Sequence, residues 1–99
     1  MKIVAVTACA TGVAHTYMAA AALKKAAKAL GHEIKVETQG AMGIEDEVSA
    51  SDIAAADAVV FAVDTMVSKR DRFEGKKSIE VLVGAAIKDP KKVIADALA

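Results

Sequence analysis

The chain has 99 residues, enough for one small domain spanning 1–99. Its 13 basic and 13 acidic side chains cancel, so no global field favours nucleic acid or an anionic membrane. A single cysteine, Cys9, excludes an internal disulfide, a Cys-x-x-Cys redox pair and a multi-cysteine zinc site. The longest apolar run, Tyr17 to Leu23, is far short of the roughly 20 residues of a membrane helix. The first residues carry no signal-peptide pattern. A cytoplasmic domain is therefore expected. The 55% hydrophobic content overstates the core, because 23 residues are alanine.

Hydrophobic periodicity alternates between strand and helix along the chain. Lys2–Ala8 reads as a short apolar strand. From His15 to Leu30, the residues Thr16, Ala19, Ala20, Leu23, Ala26, Ala27 and Leu30 keep helical spacing, and Gly31 is a natural stop. His32–Thr38 alternates as a strand, with Ile34 and Val36 on one face. Gln39–Glu47, with two glycines and three acids, reads as a loop. Ser49-Ala-Ser-Asp52 resembles a capping box, with Ser49 or Ser51 as the cap of a short helix. Asp57–Val63 is apolar and β-branched, and so a central strand. The charged stretch Asp64–Ser78 has room for at most one helical turn before a fourth strand at Ile79–Val83. Asp89-Pro90 starts a final helix that runs to about Leu98.

Strands alternating with helices predict an α/β domain of three layers: four parallel strands in the order 2-1-3-4 with helices on both faces. The functional crevice of such a sheet lies at the carboxyl ends of the strands, where the order reverses. Cys9 follows the first strand there, in a loop that opens the first helix. A helix N-terminus presents unpaired N–H groups and the positive end of the macrodipole. It binds anions and favours the thiolate of a sulfur placed beside it.

The loop reads Cys9-Ala-Thr-Gly-Val-Ala-His15-Thr16. It is neither a dinucleotide fingerprint nor a Walker A loop. A curl of this length can aim several N–H groups at one tetrahedral oxyanion, with Gly12 giving the backbone freedom. Thr11 and Thr16 offer hydroxyls. The spacing matches the Cys-x5-Arg loop of the small cysteine phosphatases, except that His15 stands at the arginine position. Without the bidentate guanidinium grip, such a loop can hold a phosphocysteine without strongly promoting its hydrolysis. That suits a relay.

The segment Thr7-Ala-Cys-Ala-Thr-Gly-Val-Ala-His-Thr-Tyr-Met-Ala-Ala20 resembles the active-site segment of fructose-type IIB domains of the bacterial phosphotransferase system. The resemblance continues through Gly31–Gly40, Gly43-Ile44-Glu45, Asp57–Ala62 and Arg72-Phe73, covering nearly the whole chain. It implies that Cys9 accepts a phosphoryl group from a phosphohistidine of a IIA domain. Cys9 then passes the group to fructose carried by a membrane-embedded IIC domain. Carried over, Ala10, Thr11, Gly12, Val13, Ala14, His15 and Thr16 form the loop around the phosphoryl oxygens. One departure stands out: the family has proline directly after the cysteine, and this chain has Ala10. Proline would stiffen the loop through its fixed φ, whereas alanine adds an N–H that needs a partner.

His15 is open to three roles: contact with phosphate, proton relay, or an ordinary place in the first turn. A neutral imidazole donor fits the helix N-terminus best. Tyr17 and Met18, one turn from the thiol, form an apolar patch for docking partners, against the plainer reading of Tyr17 packed on a loop. Gln39 lies on the same edge and is expected to meet a partner. Glu45, Asp46 and Glu47 read as solvated, and the Lys69–Lys77 charges as an ordinary wet surface. No spacing suits a metal, and no cofactor is implied. The chain is expected as a monomeric domain or as one part of a fused transporter. Two rivals stay open: a cysteine phosphatase or arsenate-reductase-like enzyme, and a non-catalytic flavodoxin-like binding module.

Overall fold

The computed structural model describes residues 1–10, 13–40 and 43–99. In chain order the elements are β1 (Lys2–Ala8), α1 (Val13–Ala29), β2 (Glu33–Gly40), β3 (Gly43–Glu45), α2 (Ala50–Ala55) and β4 (Ala58–Val63). A 3-10 turn at Arg70–Phe73, β5 (Ser78–Val81), α3 (Val83–Lys88) and α4 (Pro90–Leu98) follow. The sheet order is β3-β2-β1-β4-β5. β1 pairs in parallel with β2 and β4, and β4 with β5. Every residue of β4 is buried, as a central parallel strand requires.

The sheet has five strands and is mixed, which corrects the expected four-stranded parallel sheet. Its four parallel strands do follow the expected order, but β3 adds an antiparallel edge beside β2. Residues assigned to a loop thus extend β2 to Gly40 and then return as Gly43–Glu45. Gly40 pairs with Gly43. Gly43 has φ of 85°, a conformation that glycine adopts without the penalty of a Cβ.

Alternation along β1 separates two cores. Ile3 and Ala5 join Val36, Ala58, Val60 and Ala62 beneath α1, α3 and α4. On α1, the expected stripe from Thr16 to Ala27 is buried, whereas Leu30 is 42% exposed because the helix has already ended. His32 N–H donates to Ala27 C=O and Gly31 N–H to Lys28 C=O, a Schellman closure with Gly31 at φ 80°. The opposite face holds Val4, Val6, Val59, Phe61 and Val63, covered by Val48, Ile53, Ala56 and Phe73. Phe61 and Phe73 meet edge to face, with centroids 5.3 Å apart. Helices therefore cover both faces.

Ser49, not Ser51, caps α2: its hydroxyl accepts from Asp52 N–H while the Asp52 carboxylate accepts from Ser49 N–H. The expected fourth strand ends early. Val83 opens α3 instead, burying itself and Ala86 against the α1 side of the sheet. Asp89 closes α3 through its N–H to Ala85 C=O and caps α4 through its carboxylate, so one residue separates the two helices.

Candidate functional site

The parallel register of β1 and β4 pairs Ala8 with Val63. The residues that follow, Cys9 and Asp64, are therefore neighbours at the carboxyl edge of the sheet. Asp64 N–H donates to Ala8 C=O at 3.1 Å, pinning the two chain exits together. The Cys9 thiol donates to Asp64 Oδ2 at 3.4 Å, and Ala10 N–H donates to Asp64 Oδ1 at 3.1 Å. One carboxylate thus bridges the sulfur and the first backbone amide after it. The added N–H of Ala10 has found its partner.

Cys9 is partly buried and packs against the core under α1. The helix starts at Val13, two residues earlier than the sequence spacing indicates, which brings its N-terminus closer to the thiol. Ala10, Ala14 and His15 are exposed, while Thr11 and Gly12 lie outside the described residues. Thr16 is turned inward and only 1% exposed. Its C=O accepts from the Thr7 hydroxyl at 3.1 Å, and among the described residues its own hydroxyl has no partner. Cys9 and Ala10 thus lie on the strand-to-helix connection, and Ala14, His15 and Thr16 lie in the first turn of α1, with Thr16 turned to the interior.

Tyr17 and Met18 are 40% and 50% exposed at the start of α1. The Tyr17 hydroxyl donates to Glu45 on β3, so the residue is both exposed and tethered. That hydrogen bond, then local burial and the charges of Glu45 and Asp46, raise the phenol's pKa above its usual value. Met66, 92% exposed two residues after Asp64, adds an apolar side chain to the segment leaving β4.

Gln39 faces inward. Its Oε1 accepts Ser68 N–H at 2.7 Å, and its Nε2 donates to Ser68 C=O at 3.0 Å and to Glu37 Oε2 at 2.7 Å. Glu37 is fully buried and grips Arg72 through two parallel bonds of 2.9 Å. Val48 N–H adds a third donor at 3.1 Å. Burial opposes the Glu37 charge, but the bonds from Arg72, Gln39 and Val48 outweigh it and hold the carboxyl below the usual glutamate range. Arg72 also stacks on Phe73, 4.8 Å from the ring centroid, and lies 3.6 Å from Glu47. The reading of this charged stretch as wet surface is therefore corrected at Arg72. The clamp ties the segment beginning at Asp64 to β2 through Ser68 and Arg72.

Two carboxylates near the site are not apparent from the sequence. Asp64 follows a strand as Cys9 does, and the strand register alone makes them neighbours. Glu37 occupies a polar position of an alternating strand, and only the cover of Arg72 and Val48 buries it. Among the described residues, no group of three or more His, Cys, Asp or Glu side chains could hold a metal ion. No helix among them is long and apolar enough to cross a membrane.

A family model described as the lactose/cellobiose-specific IIB subunit of the phosphotransferase system matches residues 4–96. The fructose-like EIIB component 2 of Escherichia coli (strain K12) is 54% identical over 87 residues, covering 88% of this chain and 82% of that protein. The fructose-specific EIIABC component of Bacillus subtilis is 50% identical over 97 residues, covering 98% of this chain but 15% of that larger protein. A crystal structure of a domain from the fructose-specific IIABC component of Borrelia burgdorferi superposes with a TM-score of 0.93 at 44% identity, covering 98% of this chain and 92% of that one. With the thiol at the end of β1 and the match running almost end to end, the chain belongs to the IIB family of the phosphotransferase systems.

Proposed function

We propose that this domain is a phosphoryl relay in which Cys9 carries the phosphoryl group. The observation that carries the reading is the place of Cys9. It is a partly buried thiol at the carboxyl end of β1, on the connection into α1, in a chain of the IIB family. The Cys9 sulfur attacks a phosphohistidine of a IIA domain; the S–P bond forms as the P–N bond breaks. In the second step a hydroxyl of the sugar on a membrane-embedded IIC domain takes the group. The stretch Ala10–Thr16, with its Ala10 N–H engaged by Asp64, would hold the phosphoryl oxygens through its remaining backbone N–H groups at the α1 N-terminus. The relay uses no metal and no cofactor.

Fructose is the proposed sugar, because the relatives at 50–54% identity carry fructose in their names, although the family description names lactose and cellobiose. Tyr17 and Met18 supply the exposed docking patch, whereas Gln39, turned inward, holds the Ser68 backbone instead of facing a partner. The domain works in the cytoplasm, beside the membrane through its IIC partner. The relatives include both a short EIIB component and fused IIABC chains, so it serves as a separate protein or as one part of a fused transporter.

The test is intact mass after incubation with a phosphorylated fructose-type IIA domain, with Cys9→Ser as control. One added phosphoryl group, absent from the variant, is the expected result. Release of inorganic phosphate from an aryl phosphate, lost in Cys9→Ser, would instead support a phosphatase.

A further inference from the structure

The thiol and its nearest carboxylate form a pair that the relay chemistry can use. A neutral thiol must lose its proton to become a phosphocysteine, and it must regain one when the phosphoryl group leaves. Asp64 lies where that proton goes. Its Oδ2 already accepts from Sγ at 3.4 Å, while Oδ1 is fixed by Ala10 N–H at 3.1 Å and its own N–H by Ala8 C=O. The Gln39–Ser68 and Glu37–Arg72 bonds anchor the rest of the segment. Asp64 is held through its backbone and one carboxylate oxygen, with the other oxygen facing the reacting sulfur.

Resting on the relay reading, we propose that Asp64 is a catalytic residue, the reversible proton store of Cys9. In the first step the S–H proton moves to Asp64 Oδ2 as sulfur bonds to phosphorus. The electron pair of the broken P–N bond stays on the donor's imidazole nitrogen. Asp64 is then a neutral acid beside the phosphocysteine. It does not repel the phosphoryl oxygens and cannot act as the base that activates water against them. In the second step the sugar hydroxyl oxygen bonds to phosphorus and releases its proton to solvent, the electron pair of the S–P bond returns to sulfur, and Asp64 gives its proton back to the sulfur. The cycle ends with thiol and carboxylate restored, and no co-reactant beyond donor and acceptor is consumed. Ala10 has a part in it, because a proline there would lack the N–H that orients Oδ1.

The experiment compares two rates on wild type, Asp64→Asn and Asp64→Glu. One is phosphoryl uptake from phosphorylated IIA, followed by intact mass; the other is Cys9 alkylation by iodoacetamide. Alkylation needs only a reactive sulfur, whereas uptake uses the proton acceptor. Loss of a general base costs about 10²–10⁴-fold, so Asp64→Asn should slow uptake by at least tenfold. Alkylation should be as fast as in wild type or faster, and Asp64→Glu should recover part of the uptake. Uptake by Asp64→Asn within twofold of wild type would overturn the proposal, as would a parallel fall of both rates with no recovery in Asp64→Glu. Absence of uptake by wild type would overturn the relay reading itself.

Discussion

Glu37, within β2, and Asp64, just past β4, are two carboxylates with opposite circumstances. Glu37 is fully buried and receives four hydrogen bonds, two from Arg72 and one each from Gln39 and Val48. Asp64 is exposed, and its two oxygens face a backbone amide and a thiol. A buried charge with every lone pair occupied holds structure and has no capacity left for chemistry. An accessible carboxylate facing a weak sulfur donor keeps an oxygen open to chemistry. The clamp around Glu37 ties β2 to the segment that follows Asp64, whereas the Asp64 carboxylate stays open to solvent.

The largest effect should fall on the reactive corner. Cys9→Ser is expected to abolish the added phosphoryl mass while leaving the urea midpoint close to that of wild type; a lost midpoint would mean that the thiol is structural. On the other carboxylate the effects should exchange. Glu37→Gln leaves the partly buried Arg72 guanidinium without its buried counter-charge, with only Glu47 beside it, and should cost about 3 kcal/mol in urea unfolding. Asp64→Asn should barely move that midpoint. Equal midpoints for the two variants would erase the distinction between them.

Acid sharpens the same contrast. The folded pKa of Glu37 is lowered, so its stabilising contribution is complete above the unfolded value of about 4.3 and is lost as pH falls through the folded value. The stability gap between wild type and Glu37→Gln should therefore be widest near neutrality and shrink below about pH 4. Thermal or urea melts across that range check it, and a constant gap would mean that charge is not what Glu37 contributes. The smallest effect is expected far from both carboxylates. Ser49→Ala removes one half of the α2 capping box and should cost about 1 kcal/mol without changing phosphoryl uptake.

Much of this was legible in the chain because it depends on neighbours in sequence. The α1 stripe, the Gly31 stop, the Ser49–Asp52 box and the Asp89-Pro90 start are all local, and each is realised. The β3 hairpin was hidden because Gly40 to Gly43 carries none of the Asn-Gly or Asp-Gly turn signals, and its acids imitate a loop. The α3 helix was hidden because Leu82 offers no side-chain cap and Val83 continues the look of a strand. Arg72 reads as surface charge until its partner, 35 positions away, is known to be buried.

By itself the sequence determined the α/β alternation, the parallel order of four strands and the place of Cys9 at a strand end before a helix. Periodicity, caps and the crossover rule act over short spans and leave few topologies. Only the tertiary structure decided which carboxylate faces the sulfur and which is sealed away. Cys9 and Asp64 are 55 positions apart, and the pairing of β1 with β4 alone makes them neighbours. Strand register is set by burial across the whole sheet, so the chemistry at its edge follows from packing that no local pattern records.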